Sequence, residues 1–170
     1  MIRSFGNKTP RIAESAFVSE AAYVIGDVEI GEDSGVFPGA VIRGDFASIK
    51  IGRNSMVEDN CVIHTGEPLE IGDRVTIGHN VVMHGLKIGN HCLIGNNATI
   101  LDKSIIGNFC IIAAGCLLSP GMKIPDNSMV MGLPGVIKPL SSAMKKRLEG
   151  NGQAYARLLK QYKQQFELKS

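Results

Sequence analysis

Three of the four histidines lie close together in the chain, as His64, His79 and His84. Neutral imidazole is a common ligand of zinc and of several other transition metals. Three imidazoles around one ion, with a fourth position left open, would match a catalytic rather than a structural zinc site. Their spacing does not place all three on one helix face, so whether they can meet depends on the fold.

An apolar residue recurs every six positions over most of the chain, with irregular steps of nine, eight and five residues. The series has twenty members: Ile12, Val18, Val24, Ile30, Val36, Ile42, Ile51, Val57, Ile63, Ile71, Ile77, Met83, Ile88, Ile94, Ile100, Ile106, Ile112, Leu118, Ile124 and Val130. A period of six is neither helical nor plain strand alternation. It predicts a solenoid with three flat faces per coil, whose interior is filled by these side chains.

The position four residues after each repeating apolar residue is usually small, and all four cysteines fall there. None of them forms a CxxC pair or has zinc-ribbon spacing. We therefore expect the cysteines to be small buried residues rather than disulfide partners or metal ligands.

The three faces of each coil are labelled A, B and C in chain order, starting with face A at Ile12. Counting coils places Ile63 and Met83 on face C of successive coils. His64 and His84 directly follow them, so their side chains should stack one coil apart, at about the 4.8 Å spacing of paired strands. The coil count thus predicts two imidazoles near enough to share a metal ion.

Arg43 extends this column by one coil, while a second column on face B contains Asp59, His79 and Asn96. His79 lies level with His84 but on another face, so within one chain it should point elsewhere. A second chain, related by a threefold axis parallel to the solenoid, would bring its His79 to this level. The sequence therefore predicts a homotrimer with metal sites between subunits.

Three histidines with an open position favour Zn²⁺, and Fe²⁺ and Co²⁺ also accept imidazole ligands. His91, the fourth histidine, belongs to neither column, and we expect it to be an ordinary surface residue.

Composition narrows the class of protein further. A net charge of +2 gives no electrostatic reason to expect nucleic acid binding. The first ten residues contain no apolar signal segment, and no stretch approaches the roughly 20 apolar residues of a membrane span. We therefore expect a cytoplasmic protein without membrane partners.

The hexad pattern assigns residues 1–138 to the solenoid, and helical spacing assigns residues 139–170 to a C-terminal helical segment that packs on it.

Four motifs resemble those of gamma-class carbonic anhydrases and their short-loop bacterial relatives: GAVIRGD at 39–45, VEDNCVIH at 57–64, IGHNVVMHG at 77–85 and GLPGVIKPL at 132–140. The resemblance implies an all-β fold, a left-handed parallel β-helix with a C-terminal α-helix, assembled as a trimer. It also implies a metal between subunits, held by residues corresponding to His64, His79 and His84. The implied reaction is the reversible hydration of carbon dioxide to bicarbonate, with weak or latent activity in many short-loop relatives.

The resemblance also suggests roles for residues around the metal. Arg43 and Asp45 match the family's arginine–aspartate pair, and Arg43 would bind bicarbonate or pair with Asp45 or Asp59. Glu58 stands where the family usually has glutamine, next to the expected Asp59. A carboxylate can accept a hydrogen bond or act as a base, but it cannot donate as an amide does. Tyr155 resembles a helix tyrosine that approaches the site in short-loop relatives.

Three other functions stay open at this point. The hexapeptide acyltransferases share the solenoid but use a single histidine as general base, which three stacked histidines disfavour. A metal site could also hydrolyse thioesters. A metal-bound trimer without catalytic turnover is the remaining alternative.

Overall fold

The strands form a parallel β-solenoid of about seven turns, followed by two helices at the C-terminal end. The computed structural model describes residues 1–150 and 152–167, without the side chains of residues 152–154, 156, 166 and 167. Within these ranges the hexapeptide pattern coincides with the strands. The predicted β-helix is therefore confirmed.

Most strands contain only two or three residues, because each flat face of the coil is short. Face A carries β2 (Arg11–Ile12), β9 (Leu69–Ile71), β12 (Lys87–Ile88), β15 (Ile105–Ile106) and β18 (Lys123–Ile124). Face B carries β3 (Phe17–Val18), β5 (Gly35–Val36), β7 (Met56–Val57), β10 (Thr76–Ile77), β13 (Leu93–Ile94), β16 (Ile111–Ile112) and β19 (Ser128–Met131). Face C carries β8 (Val62–His64), β11 (Val82–Met83), β14 (Thr99–Ile100) and β17 (Leu117–Leu118).

Two longer strands continue from face C onto face A, namely β4 (Tyr23–Ile30) and β6 (Val41–Ile51). They join faces A and C into one sheet of 12 strands, whereas face B belongs to a separate sheet of eight. The short strand β1 (Ile2–Arg3) pairs with β4 at the start of the solenoid.

The register between coils agrees with the columns expected from the sequence. Ile63 pairs with Met83 on face C, and Val57 pairs with Ile77 on face B. Both pairs persist across the irregular step between residues 63 and 71, so the extra residues form a corner loop and do not shift the faces. The stacking needed for the histidine columns is therefore present.

The interior consists of the repeating apolar residues, which form one continuous buried core together with the four free cysteines. β-branched residues suit this arrangement, because their side chains pack well on a pleated surface. Gly89 shows how closely the coils approach, since a Cβ added there would lie 2.6 Å from the backbone carbon of Gly107. The expectation that the cysteines are small buried residues is confirmed.

The parallel repeat ends at β19, which pairs with the antiparallel strand β20 (Val136–Pro139). The predicted boundary after residue 138 therefore falls within β20. The six-residue period could not predict this strand, because an antiparallel strand does not continue the repeat. Helix α1 (Ser142–Gly150) follows, and the Ser141 hydroxyl accepts a hydrogen bond from the Met144 N–H at its start.

Helix α2 (Gly152–Glu167) returns to face B at the early coils of the solenoid. Its Leu159 is buried in a small apolar cluster with Phe17, Phe37 and Met56. Tyr155 and Tyr162 pack against the same cluster. Within the described ranges, neither helix is long and apolar enough to cross a membrane.

Candidate metal centre

His64 and His84 lie next to each other on face C, at the ends of neighbouring strands. Because β8 and β11 pair in register, the residues that follow Ile63 and Met83 leave the sheet on the same side. The two imidazole ring centroids are 5.4 Å apart, with an angle of 70° between the ring planes. This geometry brings two nitrogen ligands from adjacent coils to one place on the surface.

The His84 ring contacts a carboxylate from the next coil. Asp102 Oδ1 lies 2.6 Å from His84 Nδ1, so that ring nitrogen donates to the carboxylate. The remaining nitrogen of His84, Nε2, is then the one available as an electron-pair donor. Such carboxylate–histidine pairs orient and strengthen metal-binding imidazoles in many proteins.

His64 contacts the predicted arginine–aspartate pair. Asp45 Oδ1 lies 3.0 Å from His64 Nε2, and the Arg43 guanidinium lies 3.2 Å from the same nitrogen. Arg43 is also 3.6 Å from Asp45 Oδ2. These three side chains meet because β6 and β8 pair with Arg43 opposite His64.

The charge of Asp45 is stabilised despite its partial burial. Burial by itself would raise the pKa of this carboxyl, but a hydrogen bond from the Phe46 N–H and the nearby Arg43 charge act against it. The balance lowers the pKa of Asp45 below its usual value, so the carboxylate is ionised at neutral pH.

His79 lies in the second column and is held between two carboxylates. Its Nδ1 is 2.9 Å from Asp59 Oδ2, and its Nε2 is 3.0 Å from Glu58 Oε2. The Asn96 side-chain oxygen accepts the His79 backbone N–H at 3.2 Å. The column of Asp59, His79 and Asn96 expected from the sequence is therefore present, and His79 is oriented from three sides.

Glu58 is a buried carboxylate, with 6% of the residue exposed. Its second oxygen, Oε1, accepts a hydrogen bond from the Tyr155 hydroxyl of α2. Burial, together with the bond to Glu58 and its charge, raises the pKa of Tyr155, so this hydroxyl stays a proton donor at neutral pH. Tyr155 thus connects the C-terminal helix to the His79 column.

One chain does not assemble a complete metal site by itself. Among the described residues, no group of three or more histidines, cysteines, aspartates and glutamates is arranged to hold a metal ion. His64 and His84 are adjacent, whereas His79 is engaged with carboxylates on face B. The His64–His84 pair therefore has no third imidazole beside it among the described residues.

The donor chemistry of these residues nevertheless fits a metal such as zinc. His84 and His79 each have Nδ1 held by a carboxylate, which leaves Nε2 as the atom suited to coordination. Releasing Nε2 of His79 requires it to leave Glu58. Nε2 of His64 would likewise have to leave Asp45 and Arg43.

Sequence reasoning missed Asp102, while His91 lies outside both columns as expected. Asp102 lies two positions after Ile100, one coil beyond His84, so the same coil count could have identified it. His91 is half-buried, and its ring stacks on Phe109 with centroids 4.7 Å apart. Burial and the nearby Arg74 lower the pKa of His91.

The solenoid and its histidine columns define a hexapeptide-repeat protein. The family model "Bacterial transferase hexapeptide (six repeats)" matches residues 85–120. A solved structure from Bacillus cereus, provisionally described as an acetyltransferase, superposes with a TM-score of 0.92 at 36% identity and covers 96% of both chains.

Curated relatives identify the family more narrowly. A Methanocaldococcus jannaschii protein named "Probable carbonic anhydrase" is 45% identical over 150 residues, which are 86% of this chain and 94% of that protein. Gamma carbonic anhydrase 3 of Arabidopsis thaliana mitochondria is 39% identical over 90 residues, 48% of this chain and 35% of the plant protein. The chain belongs to the gamma-class carbonic anhydrase family of hexapeptide-repeat proteins.

Proposed function

We propose that this chain forms a homotrimer that catalyses the metal-dependent, reversible hydration of carbon dioxide to bicarbonate. The observation that carries the proposal is the His64–His84 pair, which offers two imidazoles to a site that one chain leaves incomplete. The names of the archaeal and plant relatives support the same reaction.

A neighbouring subunit would complete the site with its own His79. In this arrangement face C of one protomer approaches face B of the next around a threefold axis parallel to the solenoid. Val62 and Val82 support an interface here, because they lie beside the histidine pair on face C and are 40% and 39% exposed in the single chain. Covering them with a second copy would remove apolar surface from water.

Zn²⁺ is the metal we propose, with Fe²⁺ or Co²⁺ as alternatives for the same imidazole ligands. When bound, such a metal acts as a Lewis acid and makes water a nucleophile at neutral pH. The chain itself supplies the ligand geometry. Asp102 orients His84, and Asp59 orients His79, each through an Nδ1 contact.

The remaining polar residues would accept the proton and bind the bicarbonate anion. Glu58 is an acceptor beside His79 and can act as a base, with the Tyr155 hydroxyl donating to its other oxygen. Arg43 carries a positive charge next to His64, where it can attract the bicarbonate anion. Asp45 pairs with Arg43 and keeps the guanidinium at that place.

A hexapeptide acyltransferase is the second candidate, favoured by the superposition on the Bacillus cereus structure at 36% identity. That function needs no stoichiometric metal. Thioester hydrolysis would use the same metal site as carbon dioxide hydration, and a non-catalytic trimer would bind the metal without turnover. Metal content and substrate assays on the same sample separate these alternatives.

The test combines elemental analysis with stopped-flow carbon dioxide hydration on the purified trimer. We expect about one metal ion per chain, and His79→Ala should lower the hydration rate by roughly 100-fold or more because one of three ligands is lost. His91→Gln is the matched control, since that histidine stacks on Phe109 outside both columns. Hydration that persists unchanged in metal-loaded His79→Ala trimers would overturn the proposal.

A further inference from the structure

The contact between α2 and Glu58 joins two parts of the molecule that are far apart in sequence. The Tyr155 hydroxyl donates to Glu58 Oε1 across 97 residues, and Glu58 Oε2 lies 3.0 Å from His79 Nε2. Within the described ranges, Tyr155 and His79 are the two side chains that contact the Glu58 carboxylate. If His79 moves away from Glu58, the Tyr155 hydroxyl therefore becomes the remaining donor to that carboxylate.

Such a movement is required if His79 is to bind a metal, a condition that rests on the function proposed above. The Nδ1 atom of His79 is already held by Asp59, so coordination would use Nε2, the atom that now contacts Glu58. Glu58 is 6% exposed in this arrangement, so its carboxylate has little contact with bulk water. A buried carboxylate without a donor is costly, which would oppose metal binding.

We infer that α2 is a positioning element for the metal centre: by holding the Tyr155 hydroxyl on Glu58, it lets His79 leave that carboxylate and bind the metal. The position of Tyr155 depends in turn on Leu159, one helical turn further along α2. Leu159 is 3% exposed in the cluster with Phe17, Phe37 and Met56. The fit is close, because a Cβ added at Gly35 would lie 2.6 Å from the Leu159 Cδ2 atom.

The inference predicts that changes in α2 alter metal affinity at a site whose ligands α2 does not supply. Tyr155→Phe removes the hydroxyl and keeps the ring, so zinc affinity should fall by about tenfold, since one buried hydrogen bond is lost. Leu159→Ala should lower zinc affinity in the same direction, because it loosens the helix that carries Tyr155. Leu158→Ala is the matched control, as Leu158 is an exposed neighbour outside the cluster.

Zinc affinity would be measured by competition with a chromophoric chelator on the full-length trimer, with sedimentation confirming the assembly of each variant. In a double-mutant cycle, Leu159→Ala should have little further effect on zinc affinity once Tyr155 is phenylalanine. A loss of packing alone would instead lower stability in both backgrounds and leave zinc affinity unchanged.

Two outcomes have distinct meanings. Wild-type protein that binds no zinc contradicts the proposed function, and the inference with it. Wild-type protein that binds zinc while Tyr155→Phe and Leu159→Ala match its affinity contradicts the inference alone.

Discussion

At the scale of single residues, Glu58 is the residue beside the proposed site whose chemistry has the clearest physical consequence. The carboxylate offers only acceptor oxygens, one to Tyr155 and one to His79. Glutamine at this position would keep an oxygen for the Tyr155 hydroxyl. Its amide nitrogen would act as a donor in the space between His79 and the proposed reaction centre, and the buried negative charge would be gone.

Glu58→Gln should therefore increase carbon dioxide hydration, by roughly tenfold in kcat/KM, because the amide can donate a hydrogen bond to the reacting oxygen. The measurement is stopped-flow hydration at matched zinc content, with trimer assembly verified. Glu67→Gln serves as the control, since it makes the same chemical change at an exposed loop carboxylate paired with Lys103. An unchanged rate in zinc-loaded Glu58→Gln would show that the carboxylate does not limit activity, and a lower rate would show that it acts as a base.

At the scale of structural elements, stability depends on how closely successive coils approach. The side-chain oxygens of Asp73, Asn90, Asn108 and Asp126 each accept a backbone N–H from the coil before, at 2.7–2.9 Å. Glycine directly precedes Asp73, Asn90 and Asn108, and Gly52 occupies the equivalent position one coil earlier. At these glycines the backbones of successive coils nearly touch. This corner of the solenoid therefore has no room for side chains at the glycine positions.

Gly89→Ala should destabilise the protein by about 2–3 kcal/mol, because its Cβ would meet the rigid backbone of Gly107 and Asn108. Gly66→Ala is a suitable comparison, since a Cβ there meets nothing within 4 Å. The measurement is the midpoint of chemical unfolding for both variants. Equal midpoints for the two variants would show that the coils can separate without cost, contrary to the packing described.

The sequence predicted these elements well where local pattern determines them. The six-residue period defined the faces, and the register of Ile63 with Met83 follows from counting coils. Contacts with segments outside the repeat could not be predicted by counting coils. The antiparallel strand β20 joins a segment with no shared period, so the three-dimensional packing was needed to reveal it. The family resemblance predicted that Tyr155 approaches the site, but not that its hydroxyl donates to Glu58.

At the scale of the whole molecule, the proposed site would belong to a trimer rather than to a single chain. His64 and His84 would come from one protomer, and His79 from the next around the ring. A cyclic trimer has three such interfaces, each using two different surfaces of the same chain. Variants that damage different surfaces should therefore complement each other, whereas variants that damage the same surface should not.

Trimers assembled from equal amounts of His64→Ala and His79→Ala chains should regain zinc in about one quarter of their sites, although trimers of either variant alone lack it. An interface is intact only where a His79→Ala chain supplies the His64–His84 pair and a His64→Ala chain supplies His79. With random assembly each condition is met about half the time, which gives the quarter. The measurement is zinc content per chain after co-refolding, with mixed trimers verified by native mass spectrometry.

The matched control mixes His64→Ala with His84→Ala, two variants that damage the same face-C pair. Every interface in these trimers lacks one of the two stacked imidazoles, so zinc content should stay at the level of the separate variants. Recovery in the first mixture and none in the second would require ligands from two chains. Verified mixed trimers without recovery in either mixture would instead mean that the three histidines do not share a metal across subunits.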